Sequence, residues 1–142
     1  MDTVLDKFEV CYNCFVKTIK QTYLINASLE EAWKALTNPK YIDAWGGGPA
    51  KMDDKKGTHF EFWGGDIHGK NIEVVPLKKI KQEWFAGIWD KPSIVTFTLT
   101  QEKDAVKIVL LQTDIPDNEA KDIEQGWKDY YLGPLKKYLE NK

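Results

Sequence analysis

Two groups of residues in this chain have types and spacing that could do chemistry. Cys11 and Cys14 form a C-x-x-C, the only cysteine pair present. A structural zinc site wants four ligands, usually two such pairs or one pair with two histidines. The only histidines, His59 and His68, stand far along the chain without finger spacing. The pair also lacks the strand-to-helix setting of a redox dithiol. Two ordinary thiols is the plainer reading, with a reversible disulfide or an opportunistic metal as the alternative.

The second group is His59, Glu61 and His68. Gly64-Gly65 is a two-residue hairpin signal that sets Phe62 opposite Ile67 and Glu61 opposite His68. Two imidazoles and a carboxylate then share one face, as in some catalytic metal sets. The same register sends Phe60, Phe62 and Ile67 to the other face. One polar and one apolar face is what any half-solvated antiparallel hairpin shows, so no metal is expected there. The chain carries no nucleophile elbow, phosphate loop or dinucleotide fingerprint. Gly46-Gly47-Gly48 runs into Pro49 rather than Lys-Ser/Thr, so phosphate binding is not expected. No motif calls for a cofactor, and the reading moves away from an enzyme.

Composition sets the outer limits. The 142 residues suit one domain large enough for an ordinary core. The formal net charge of −2 excludes a strong global basic footprint for nucleic acid. All cationic residues are lysine, so no bidentate guanidinium clamp is available. No apolar run reaches membrane-helix length and no charged-then-apolar leader opens the chain. Neither a membrane span nor a signal peptide is expected, and the expected location is cytoplasmic. Aromatics make up 13%, with six each of Trp, Tyr and Phe. Such rings bury large areas and also line pockets.

The elements that must position these residues are legible in the pattern. Residues 1–16 stand apart as an N-terminal arm, with Val4, Leu5, Phe8, Tyr12 and Phe15 at helical spacing that also suits an extended segment. Residues 17–142 form the domain. A strand over 17–25 leads to an S-x-x-E capping box, Ser28 and Glu31. Leu29, Ala32, Trp33 and Leu36 make one apolar helix face that ends at Asn38-Pro39. Tyr41, Ile42 and Trp45 suggest one more short turn. Strands follow over 58–62, 67–75, 77–85, 94–101 and 105–113. A long helix closes the chain, with Asp117 or Asn118 as its cap. Ala120, Ile123, Trp127, Tyr130 or Tyr131, Leu135 and Tyr138 lie on its apolar stripe, and Gly133-Pro134 predicts a break near 130–133. The order is α+β, with the final helix burying its stripe on the concave sheet face.

In this order the landmarks resemble those of the START-like (SRPBCC) helix-grip superfamily, and within it the Aha1-like branch typified by the C-terminal domain of the activator of Hsp90 ATPase. They run from Thr22-Tyr23-Leu24 into Ser28-Leu29-Glu30-Glu31-Ala32-Trp33, then Gly57-x-x-Phe60-x-Phe62 and Gly64-Gly65-Asp66-Ile67-x-Gly69. Val74-Val75-Pro76 with Trp84 and Trp89, Thr96-x-Thr98-Leu99-Thr100, Ile115-Pro116 and Gly126-Trp127-x-x-Tyr130-Tyr131 complete the series. The resemblance covers about residues 17–139. It implies a curved, seven-strand antiparallel sheet wrapped around the last helix, and no catalytic residues. Two functions follow as expectations. One is a non-catalytic domain holding a small apolar ligand between sheet and final helix, lined by Phe60, Phe62, Trp84, Phe97, Trp127 and Tyr131. The other is a protein-contact module for an Hsp90-type chaperone. No charged cluster is expected at those same positions, so a guest would be held mainly by apolar contact.

Overall fold

A computed structural model of the chain describes residues 16–87 and 89–141. The C-x-x-C pair and nearly all of the 1–16 arm therefore lie outside the described residues. The elements are β1 (Val16–Ile25), α1 (Leu29–Thr37), α2 (Pro39–Trp45), β2 (His59–Phe62), β3 (Ile67–Val75), β4 (Lys79–Ala86), β5 (Ser93–Glu102) and β6 (Ala105–Pro116). A continuous helical run follows. It comprises a 3-10 turn at Asp117–Glu119, α3 (Ala120–Gly126), a π-helical turn at Trp127–Tyr131 and α4 (Leu132–Glu140).

The strands form one antiparallel sheet in the order β1-β6-β5-β4-β3-β2. Among the described residues it has six strands, where the resemblance implied seven. An isolated antiparallel bridge between Lys51 and Glu61 lies outside these strand pairings. The segment between that bridge and β2 is held to the inner face by Asn71, whose side-chain amide donates to the carbonyls of Asp53 (3.0 Å) and Lys55 (3.2 Å). Register irregularities between Lys17 and Ile19 and between Asn71 and Glu73 add bend to the sheet.

Period-two patterning fixes the inner face. Ile80, Val95, Phe97, Leu99, Val106, Ile108 and Leu110 are all buried, while Thr98 and Thr100 face solvent. α1 begins as expected, with Ser28 Oγ accepting from the Glu31 backbone N–H at 3.1 Å. Asn38 closes α1 and caps α2 in turn, its Oδ1 accepting from Lys40 N. The final helix differs at its start. No side chain caps it, and Asp117 instead pairs with Lys17 at 3.5 Å.

The expected break in that helix is a π-helical turn. Pro134 would crowd the carbonyl four residues back in a regular α-helix. The widened turn gives way at Tyr131, whose backbone sits at φ −119°, ψ −82°. This geometry brings the Lys128 carbonyl onto the space a Cβ at Gly133 would fill. Beyond the turn, Leu132, Leu135 and Leu139 bury their side chains in the core. The helix end is tied to β1 by Glu140, whose carboxylate accepts from Asn26 N at 2.9 Å and from Lys136 Nζ at 3.1 Å.

Two predictions follow from this end of the molecule. Gly133→Ala should destabilise by about 1–3 kcal/mol, as overpacking does; a urea midpoint equal to wild type would refute the close approach. The Asn26 N–H and then Lys136 hold the Glu140 carboxyl below its ordinary value of 4.5. A lowered folded value stabilises above the unfolded value and is lost as pH falls through the folded one. The stability gap between wild type and Glu140→Gln should therefore be full near neutral pH and close below about pH 4. Urea midpoints across that range measure it.

Candidate functional site

Two tryptophans form the floor of the site, and each hangs from a buried glutamine. A buried indole N–H needs an acceptor, because an unsatisfied one costs about 1–3 kcal/mol. Trp84 of β4 donates to Gln82 Oε1 at 2.7 Å. Gln82 in turn donates to Asn71 Oδ1 at 2.9 Å. Trp127 donates to Gln112 Oε1 at 2.7 Å, and Gln112 donates to Ser93 Oγ at 3.0 Å. Ser93 closes that chain by donating to the Thr113 carbonyl at 2.6 Å. The two indoles lie with ring centroids 4.9 Å apart. Asn71, Gln82, Ser93 and Gln112 thus form a polar belt across four strands of the inner face, every one of them buried.

Tyr131 stands behind this pair as a hub. Its ring packs against Trp45 (4.6 Å), Trp127 (4.8 Å), Phe62 (5.4 Å) and Phe97 (5.6 Å). It is 2% exposed. Burial pushes its hydroxyl far above the usual range, so the group stays protonated. Among the described residues that hydroxyl has no hydrogen-bond partner.

Over this floor opens a cleft of about 290 Å³, between the β2–β3 turn and the first half of the final helical run. Trp63 and Ile67 make one wall. Ile123, Gly126 and Tyr130 make the other, with Glu119 and Asp122 at the same helical edge. The register Phe62↔Ile67 and Glu61↔His68 is as the Gly64-Gly65 signal required. The turn itself is a 3-10 turn over Trp63–Gly65 rather than a two-residue loop. Trp63, which simple alternation puts on the polar parity, leaves the strand at φ 51° and turns into the cleft. The glycine run holds it there. Trp63 donates its indole N–H to the Gly46 carbonyl and its backbone N–H to the Gly47 carbonyl, both at 2.8 Å. Gly64 N–H reaches the Pro49 carbonyl at 3.0 Å. A side chain at Gly47 would meet Trp45 and Ile42 within 3 Å, which is why the loop carries glycine there.

Of the six residues expected to line a pocket, Trp84, Trp127 and Tyr131 line this cleft. Phe60, Phe62 and Phe97 are not among its lining residues; they are fully buried and packed ring against ring with Trp84, Tyr131 and Trp127. Glu119 and Asp122 also line the cleft, at positions outside the six named for it. Glu119 is oriented by Trp89, whose indole N–H donates to Oε2 at 2.9 Å. Neither carboxylate has a lysine within ion-pairing distance among the described residues. Gln82, Gln112, Trp63, Glu119 and Asp122 all escaped the sequence reading. Only the glutamines left a signal, as polar residues on the buried parity of Ile80 and Trp84, and of Ile108 and Leu110. His59, Glu61 and His68 lie on the opposite face of the sheet edge. There His68 stacks on Phe85 at 5.5 Å, and Glu61 sits 4.0 Å from Lys51 Nζ.

Comparison with known proteins adds a lineage to this geometry. The model of one family, described as "Activator of Hsp90 ATPase homolog 1-like protein", matches residues 26–140. The activator of 90 kDa heat shock protein ATPase homolog 1 from Homo sapiens is 28% identical over 121 residues, 84% of this chain and 35% of that protein. The homolog from Dictyostelium discoideum is 30% identical over 123 residues, 84% of this chain and 32% of its own length. The chain thus spans about a third of the length of these curated relatives. Among solved structures, a Mesorhizobium loti protein superposes with a TM-score of 0.78 at 24% identity, covering 89% of this chain and 98% of that one. An HSP90 activator from Plasmodium falciparum gives 0.78 at 23% identity, with 86% and 95% covered. Likeness at those identities speaks for the fold alone.

The satisfied and unsatisfied buried groups make opposite predictions. Gln112→Leu strands the Trp127 indole N–H and should destabilise by about 1–3 kcal/mol. Tyr131→Phe deletes a hydroxyl that has no partner, so stability should hold or rise. Urea denaturation of both variants checks this, and a large loss in Tyr131→Phe would show that the hydroxyl is satisfied in the folded protein.

Proposed function

Because the chain belongs to the activator of Hsp90 ATPase homolog 1-like family, we propose that it is a non-catalytic, cytoplasmic binding domain whose working site is the cleft over Trp84 and Trp127. The guest is a small, flat, largely apolar molecule seated on the two indoles. Gly126 carries this reading. It occupies ordinary helical backbone, φ −60° and ψ −36°, so nothing in its conformation requires glycine. A helix-interior glycine gives up about 1 kcal/mol relative to alanine. A Cβ there would meet only Tyr130, at an unstrained 3.9 Å. The missing side chain leaves room in the cleft and serves no packing need. The five rings around that room supply the apolar and stacking surface such sites use.

The volume sets a modest affinity. Burying about 200 Å² of guest at about 25 cal/mol per Å² yields about 5 kcal/mol before association costs. A dissociation constant on the order of 100 µM or weaker follows for a guest with no polar anchor.

A second reading, contact with an Hsp90-type chaperone, is supported by what the relatives are called: the human homolog and the Plasmodium falciparum protein are both named as activators of that chaperone. The two readings separate in one variant. Gly126→Leu should fill the cleft while keeping or raising helix stability. Tryptophan fluorescence titrated with 2-naphthol should quench saturably in wild type and lose that saturation in Gly126→Leu, with an unchanged or higher melting temperature. Absence of saturable quenching in wild type, or equal quenching in both proteins, would overturn the ligand reading. Stimulation of Hsp90 turnover that survives Gly126→Leu would place a chaperone contact on another face.

A further inference from the structure

The lining of the cleft also has a sign, and from it we infer that the guest is a small organic cation whose ammonium group sits among the aromatic rings beside Glu119 and Asp122. The inference rests on the reading of the cleft as the binding site and adds the charge of its occupant.

Three observations carry it. Trp63, Trp84, Trp127, Tyr130 and Tyr131 all line the cleft. The faces of such rings are negative, and grouped rings attract alkylammonium groups through that field. Two carboxylates and no lysine share the lining, although lysine accounts for every cation in the chain. The nearest positive residues by sequence, Lys121 and Lys128, are exposed and are not lining residues. The Trp89 hydrogen bond engages one oxygen of Glu119 and leaves the other outside that contact. A carboxylate-bearing guest such as a fatty acid would meet like charge here, so charge complementarity selects against it.

Two further features fit an occupant and are poorly accounted for by packing. Tyr130 is 66% exposed at the cleft edge, with its ring available to a guest. The Tyr131 hydroxyl is buried and unpartnered in the same lining. A site shaped only for core packing would gain by carrying phenylalanine at that position.

Choline and its neutral isostere 3,3-dimethylbutan-1-ol have nearly the same shape and differ in charge, which makes them the direct probes. Calorimetric or NMR titration of the full chain should show choline binding at least tenfold more tightly. That preference should shrink with added salt, since part of it is screened. The double variant Glu119→Gln/Asp122→Asn, which keeps an acceptor for Trp89, should abolish the preference. Tyr130→Ala, a change on the surface, should weaken choline severalfold and the isostere less. Equal binding of the two probes, or a preference that persists in the double variant, would overturn the cation while leaving the cleft reading intact if 2-naphthol still quenches. Failure of choline, the isostere and 2-naphthol alike would overturn both. Tighter binding of Nα-acetyl-lysine amide than of choline would move the site to a partner's lysine side chain and overturn the free cation.

Discussion

Everything built around the final helix depends on giving two buried indole N–H groups an acceptor. Trp84 comes from the sheet and Trp127 from the helix, and both make their N–H bonds in the buried interior. Gln82 and Gln112 supply the acceptors at 2.7 Å each. Those glutamines are themselves oriented by Asn71 and Ser93. The depth at which the helix docks follows from this arrangement. Shifting it by a fraction of a turn would break the Trp127 bond and strand a donor in the core. A fully satisfied polar network of this kind selects one packing among several that hydrophobic burial alone would allow.

The helix meets that constraint by changing its own geometry. A regular α-helix through Gly133-Pro134 would lose a hydrogen bond and crowd a carbonyl. The π-helical turn over Trp127–Tyr131 absorbs the mismatch and places Tyr131 against rings from α2, β2 and β5. Widened turns of this kind recur at functional positions in helices. Here the turn lies directly behind the cleft, and Gly126 lies immediately before it. Two departures from good helix sequence, a glycine with ordinary backbone angles and a proline accommodated by the wider turn, bracket the residues that face the candidate ligand. The opposite wall is fixed just as firmly. Carbonyls of the 46–49 loop take the N–H groups of Trp63 and Gly64, so the hairpin tip is held where it overhangs the floor.

Family membership and site geometry bear on different questions. The matched family, over residues 26–140, accounts for the architecture and for the chaperone-linked names of the relatives. The cleft is described by its own chemistry, with aromatic walls, an acidic edge and a polar belt beneath. A shared fold leaves such sites free to diverge.

Much was legible in the sequence because it is local. The S-x-x-E box, the stop at Asn38-Pro39, the inner parity of β5 and β6, the Phe62↔Ile67 register and the break before Pro134 all follow from spacing and backbone sterics within a few residues. Tertiary structure decided what stands across the core from each residue. Alternation marks Gln82 and Gln112 as inward-facing, but only docking of the helix shows that each meets an indole N–H. Alternation puts Trp63 on the polar face; a left-handed backbone at that one position and acceptors from the 46–49 loop turn it into the cleft. Among the described residues the sheet has six strands, and only the fold shows that the segment before β2 joins it by a single bridge, Lys51 to Glu61. Glu119 and Asp122 carry no signal of their own in the sequence; the fold sets them in one lining with Trp63, more than fifty positions away in the chain. Periodicity reports which face a side chain occupies, and a site is made of faces brought together over long sequence separations.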